Sequence, residues 1–129
     1  MSESLTYGLT HLALLVRDVD ASIAFYDAVF GVTTMFRNKG FGQVQTKDSN
    51  DIIVFEEDAE KSKLIGNSGG ILHFGFRLKD PNDLETLAGR VVKAGGTIID
   101  KGEFCPGEPY MFFKDLDGYE VEVWYELIS

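Results

Sequence analysis

Basic side chains are in short supply. Twelve lysines and arginines stand against 21 aspartates and glutamates, a formal net charge of −9. A nucleic-acid binder needs a basic footprint to displace counterions, so that class of partner is excluded, whereas a cationic ligand is not. Cysteine is scarcer still. Cys105 stands alone, which rules out a disulfide within the chain and a zinc site built on cysteine pairs. Neither histidine is near it in sequence, so it reads as a small, partly buried thiol and not a nucleophile. No apolar run approaches the ~20 residues that a membrane span needs. The opening MSESLTYGLTHLALL lacks the basic start of a signal peptide. Together these absences describe a cytoplasmic protein with no membrane partner. With 129 residues, 44% of them hydrophobic, residues 1–129 form a single domain able to bury a sizeable core.

What is present is written twice. Residues 10–35 read THLALLVRDVDASIAFYDAVFGVTTM, and residues 72–99 read LHFGFRLKDPNDLETLAGRVVKAGGTII. In each, a histidine opens an apolar strand and an aspartate follows seven residues later, His11 to Asp18 and His73 to Asp80. A helix comes next. The first has Asp20 or Ser22 as cap candidates and ends at Gly31; the second has Asn82 or Asp83 and ends at Gly95 and Gly96. Three short extended runs follow each helix: Val32–Arg37, Gly42–Thr46 and Asp51–Glu56, then Thr97–Lys101, Tyr110–Phe113 and Tyr119–Tyr125. Each half is therefore strand, helix, then three strands. Module one spans about residues 7–58, a polar linker about 59–69, and module two about 70–127.

One helix covers one face of a sheet, and strand parity says which residues lie opposite. In module two Leu72, Phe74, Phe76 and Leu78 form the helix row, leaving His73 and Arg77 on the other side. In module one Leu12, Leu14 and Val16 face the helix, leaving His11. In KDLDGYEVEVWYE, residues 114–126, Val121, Val123 and Tyr125 are the core row, so Glu122 lies opposite. Two histidines at one place in a repeat, with a carboxylate on the same kind of face, are a ligand set suited to a divalent first-row metal with open positions. Their long spacing certifies nothing unless the strands come together.

These residues resemble the vicinal oxygen chelate superfamily: glyoxalases, bleomycin-resistance proteins and ring-cleaving dioxygenases. The resemblance covers essentially the whole chain. It rests on His11 opening HLALLVRDVDASIAFYDAVFGV, His73 opening HFGFRLKD, and DLDGYEVEV closing the second module. It implies an α+β fold of two tandem βαβββ modules, a cup-shaped mixed sheet with helices on its outer face. It also implies a homodimer whose sites are shared between chains. Carried over by position, His11, His73 and Glu122 match metal-ligand sites for one divalent ion, zinc, nickel, manganese or iron. Matching Lys47-Asp48 to Lys114-Asp115 sets Phe55 opposite Glu122, and a one-residue slip would present Glu56 as ligand, acid/base residue or wet charge.

Two functions follow from the resemblance. One is a metal-dependent enzyme binding vicinal oxygens of a small substrate: glyoxalase-like lyase or isomerase chemistry, thiol transfer with a thiol cosubstrate, or dioxygenation. Glu56 is then the candidate base, and Phe55, Arg77, Tyr110 and Trp124 are candidate pocket residues. The other is a non-catalytic binder of a cationic small molecule, which the net charge, Glu120 and Trp124 suit. The stretch KGEFCPGEPYMFF, residues 101–113, is expected to be an irregular loop forming one wall of the pocket.

Overall fold

A computed structural model of the chain describes residues 3–65 and 71–127, so residues 66–69 of the expected linker lie outside it. Each module is a four-stranded mixed sheet with one helix. In the first, β1 (Leu12–Val16) leads to α1 (Val19–Phe30), then β2 (Val32–Asn38), β3 (Phe41–Thr46) and β4 (Ile53–Glu57), in the spatial order β1-β4-β3-β2. In the second, β5 (Phe74–Arg77), α2 (Leu84–Lys93), β6 (Thr97–Glu103), β7 (Pro109–Lys114) and β8 (Glu120–Trp124) repeat it as β5-β8-β7-β6. The first and last strands of each module pair in parallel, and the others are antiparallel. Even the irregularities repeat: a register shift falls between Thr34 and Phe36 in one module and between Ile98 and Asp100 in the other. The two-module α+β architecture is the one the repeat implies. Among the described residues no helix is long and apolar enough to cross a membrane.

The first helix starts earlier than the sequence suggests, whereas α2 starts after Asp83, one of the two expected caps. Asp18 is extended, and its carboxylate accepts from the Ala21 amide, so it caps α1 in place of Asp20 or Ser22. Asp20 instead pairs with Arg37 at 2.8 Å. Asp80 caps a single 3₁₀ turn, Pro81–Asp83, ahead of α2, accepting from the Asn82 amide. Gly31 closes α1 in the left-handed region at φ 72, which a residue with a Cβ adopts at a cost.

The helix rows of both sheets share one core. Leu14, Val16, Val44 and Phe55 come from the first sheet, and Leu78, Met111, Phe113, Val121 and Val123 from the second. Helix α1 serves both: Tyr26 packs on Phe55, while Phe25 touches Phe113 and Phe30 stacks on Phe76 at 3.8 Å. Leu72 is the exception to the expected row, being 83% exposed ahead of β5. Because both sheets turn these rows inward, their other faces point outward and apart.

The turn between β7 and β8 fastens the modules together. Asp115, buried, accepts from the amides of Asp117, Gly118 and Tyr119 through Oδ1, and from the Tyr26 hydroxyl at 2.7 Å through Oδ2. Asp117 accepts from the Arg17 amide and the Ser22 hydroxyl. The Tyr119 hydroxyl donates to the Leu15 carbonyl at 2.8 Å and accepts from its amide, occupying the open edge of β1. Burial raises the Asp115 carboxyl above the usual carboxylate range, although the Tyr26 hydroxyl and two turn amides oppose the shift. Burial, with Asp115 beside it, also pushes the Tyr26 phenol well above its ordinary value.

Candidate metal centre

Glu122 is half-buried on the outward face of β8 and pairs with Gly75 on one side and Phe112 on the other. Gly75 makes room for it. A Cβ built there would stand 3.2 Å from Glu122 Oε1, so the carboxylate is seated over the bare glycine backbone. His73, next but one to Gly75, stands exposed with its ring edge-on to Phe112 at 5.0 Å. Strand parity and this ring contact set His73 and Glu122 on one face.

Three of the four expected pocket residues share that face. Arg77 and Tyr110 flank Trp124 in register. The Tyr110 hydroxyl donates to Asp100 at 3.0 Å, which raises its pKa above the ordinary phenol range. Arg77 reaches Glu126 at 3.3 Å. Phe55 does not join them. It is fully buried against Tyr26, on the helix side of β4, and is a core residue.

The first module is poorer in donors. His11 is exposed just before β1, with Nδ1 2.7 Å from the Thr10 hydroxyl, which leaves Nε2 as the nitrogen available to a ligand. Ile53 faces Leu12 as Val121 faces Phe74, so the residue standing where Glu122 stands is Val54. This corrects the expected match to Phe55: Val44 stands in register where Phe113 stands, so matching Lys47-Asp48 to Lys114-Asp115 is two residues out, and the turn before β4 is one residue longer than the turn before β8. Glu56 faces the same way as Val54, exposed and opposite Leu15, one pair further along the strand.

Residues 101–113 are more regular than their glycines and prolines suggest, since β6 runs to Glu103 and β7 begins at Pro109. Only residues 104–108 turn. There Phe104 stacks on Tyr110 at 4.2 Å and stands edge-on to Trp124 at 5.7 Å, extending the aromatic wall beside Glu122. The Trp124 indole nitrogen is buried without a hydrogen-bond partner. Gly75, Phe104 and Phe112 were not singled out from the sequence. A glycine inside an apolar strand was the available sign for the first; nothing local marked the other two.

Cys105 is exposed, and its thiol donates to Glu108 at 2.5 Å. That bond raises the thiol pKa and lowers that of Glu108. Since the thiolate is the reactive species, Glu108→Gln should speed alkylation of Cys105 by iodoacetamide at neutral pH. A slower or unchanged rate would show that the carboxylate does not hold the thiol proton.

Among the described residues, no three histidine, cysteine, aspartate or glutamate side chains converge as a metal cage. The residues present still fit a metal: an imidazole and a carboxylate share one face, with a second imidazole on the other sheet's outward face. A family model described as Glyoxalase/Bleomycin resistance protein/Dioxygenase superfamily matches residues 8–123. An uncharacterized protein of Pseudomonas aeruginosa is 32% identical over 124 residues, covering 91% of this chain and 87% of that protein. Among solved structures, the fosfomycin resistance protein FosX of Listeria monocytogenes, complexed with Mn(II) and sulfate, is similar with a TM-score of 0.77 at 17% identity, covering 96% of this chain and 94% of that one. Lactoylglutathione lyase of Agrobacterium tumefaciens is similar with a TM-score of 0.72 at 21% identity, covering 95% and 96%. At these identities the structural likeness speaks for the fold.

Proposed function

The chain belongs to the glyoxalase/bleomycin resistance protein/dioxygenase superfamily, and on that premise we propose a metal-dependent enzyme acting on a small molecule with adjacent oxygen atoms. The observation that carries this is the Glu122 carboxylate seated over Gly75 on the face that His73 shares. His73 and Glu122 would hold one divalent ion together with His11 of a second copy, because the outward faces of one chain point apart. Exposed apolar residues before both histidines, Leu5, Tyr7 and Leu9, then Ile71 and Leu72, support a partner that covers them. The metal, when bound, supplies a Lewis acid and a template for the oxygen pair. The Mn(II) in the FosX complex makes manganese the first ion to test, with zinc, nickel and iron after it.

The chain's own residues then have distinct tasks. Tyr110, Trp124 and Phe104 shape an apolar wall that excludes water. Arg77 can orient a polar substituent at the rim. Glu56 is the carboxylate best placed to take a proton in the first module's half of a shared site, the role for which it is proposed. A thiol cosubstrate and a cytoplasmic location belong to this same reading. The test is elemental analysis of gently purified protein and of protein reloaded with each ion, followed by assays on hemithioacetals, catechols and thiol-transfer substrates. Failure to take up any of these ions stoichiometrically would defeat the proposal.

A second reading is favoured by one observation, the wall of Phe104, Tyr110, Phe112 and Trp124 beside Glu120 and Glu122. Such a surface suits a cationic aromatic ligand bound without turnover. Metal-independent, saturable binding of such a cation by protein lacking turnover would favour the binder.

The glycine supplies a further prediction. Gly75→Val should displace the Glu122 carboxylate and weaken metal binding by about 10-fold, the scale of losing a supporting group at a metal site. Isothermal titration with Mn(II) checks it, and unchanged affinity would show that the cradle does not position the ligand.

A further inference from the structure

The internal repeat gives the seam between the modules two related ends, and they are built differently. At one end Asp115, Asp117 and Tyr119 plug the gap between the end of β1 and α1. At the other, the corresponding turn around Lys47 and Asp48 faces the end of β5 and α2, and a cavity of about 380 Å³ remains. In register Thr46 stands where Asp115 stands, only half-buried and bound through its amide and hydroxyl to Asp51, and Asp48 beyond it is exposed in the left-handed region at φ 64. Lys79 precedes Asp80 as Arg17 precedes Asp18. Arg17 has the Asp117 carboxylate at 3.7 Å, whereas Lys79 forms no ion pair among the described residues.

The cavity combines an apolar floor with a basic rim. The Phe30–Phe76 stack forms the floor, and Lys47, Lys79 and Arg90 border it, against two acids, Asp48 and Asp83. Three of the twelve basic residues of a chain with net charge −9 thus gather at one cavity. Lys47 and Arg90, like Lys79, are in no ion pair among the described residues. Leu78 and Val123, core-row residues, also line it, so it opens on the helix side of the second sheet and not on the face of Glu122.

We propose that this cavity binds a small organic anion, a phosphate monoester or carboxylate on a compact ring. The ring lies against Phe30 and Phe76, and the anionic group meets Lys47, Lys79 and Arg90. It takes the place that the Asp115 and Asp117 carboxylates fill at the other end. A volume of this size falls within the range of small-molecule sites, and charge-assisted bonds to its rim cations favour an anion there.

Phenyl phosphate is the probe, titrated into ¹⁵N-labelled full chain stripped of metal with EDTA and followed by amide shifts. Saturable binding with a Kd of about 1 mM or tighter is expected, with shifts centred on residues 46–48, 76–79 and 86–90. Lys79→Glu with Arg90→Glu should weaken it at least about tenfold, the scale of one charge-assisted bond lost. Thr86→Phe, which narrows the mouth without changing charge, should also weaken it. Lys39→Glu with Lys61→Glu, an equal charge change elsewhere, and Glu122→Gln should both leave affinity unchanged. Unsaturable shifts, shifts centred on His73 and Glu122, equal affinity in the Lys79/Arg90 double variant, or inorganic phosphate binding as tightly would each overturn the proposal. Because the protein is metal-free throughout, the result is independent of the metal-enzyme reading.

Discussion

Replacing His73 by alanine is expected to reduce divalent-metal affinity by more than about 100-fold, and Glu122→Gln and His11→Ala to do the same. Losing a group that merely supports a ligand costs about 10- to 100-fold, so losing one of three protein ligands should exceed that. The reason lies in what each donor brings. Glu122 supplies the only carboxylate seated over Gly75, and His73 the imidazole on its face. The glutamine substitution keeps the size of Glu122 and removes its charge, so it separates ligation from packing. Competition titrations with a metal-sensitive dye would read the three affinities, and circular dichroism would confirm folding. Near-normal affinity in the Glu122→Gln protein would remove that residue from the ligand set.

Asp115→Ala should lower stability by on the order of 3 kcal/mol. The Tyr26 hydroxyl, almost fully buried, would lose its acceptor, and an unsatisfied buried polar group costs about 1–3 kcal/mol. Three turn amides would lose theirs as well, loosening the segment that ties β8 to the open edge of β1. Tyr119→Phe removes only the contact with Leu15 and should cost about 1 kcal/mol. Urea unfolding measures both. A loss below about 1 kcal/mol for Asp115→Ala would mean that the turn is ornamental to the packing of the two modules.

Much of this was legible beforehand because the chain repeats itself. Strand, helix and strand-face assignments needed only periodicity, and the equivalence of His11 and His73 came from alignment of the halves. What went astray depended on one-residue differences or long-range contacts. The turn before β4 is one residue longer than its repeat and the Lys47-Asp48 match stood two residues out of register, so the match moved from Phe55 to Val54, and a single-residue shift reverses facing in a strand. The cap at Asp18 was passed over for polar residues inside the first turn. Leu72 fits an apolar row but stands outside its strand, so parity alone could not tell that nothing covers it. The inter-module fastening by Asp115, Asp117 and Tyr119 joins residues 104 positions apart in the extreme case, Leu15 and Tyr119, beyond the reach of local pattern. Asp115 and Asp117 read locally as ordinary turn formers.

Mixing His11→Ala protein with Glu122→Gln protein tests most directly whether two chains share one metal. In a mixed dimer both lesions fall in one site, and the other site receives His11 from one chain with His73 and Glu122 from its mate. After complete subunit exchange, metal content should recover to about a quarter of the wild-type value, since half of the dimers are mixed and each carries one intact site. Neither variant alone should hold metal above background. A mixture that binds no more metal than its two components, or a chain that remains monomeric with its metal bound, would contradict a shared centre.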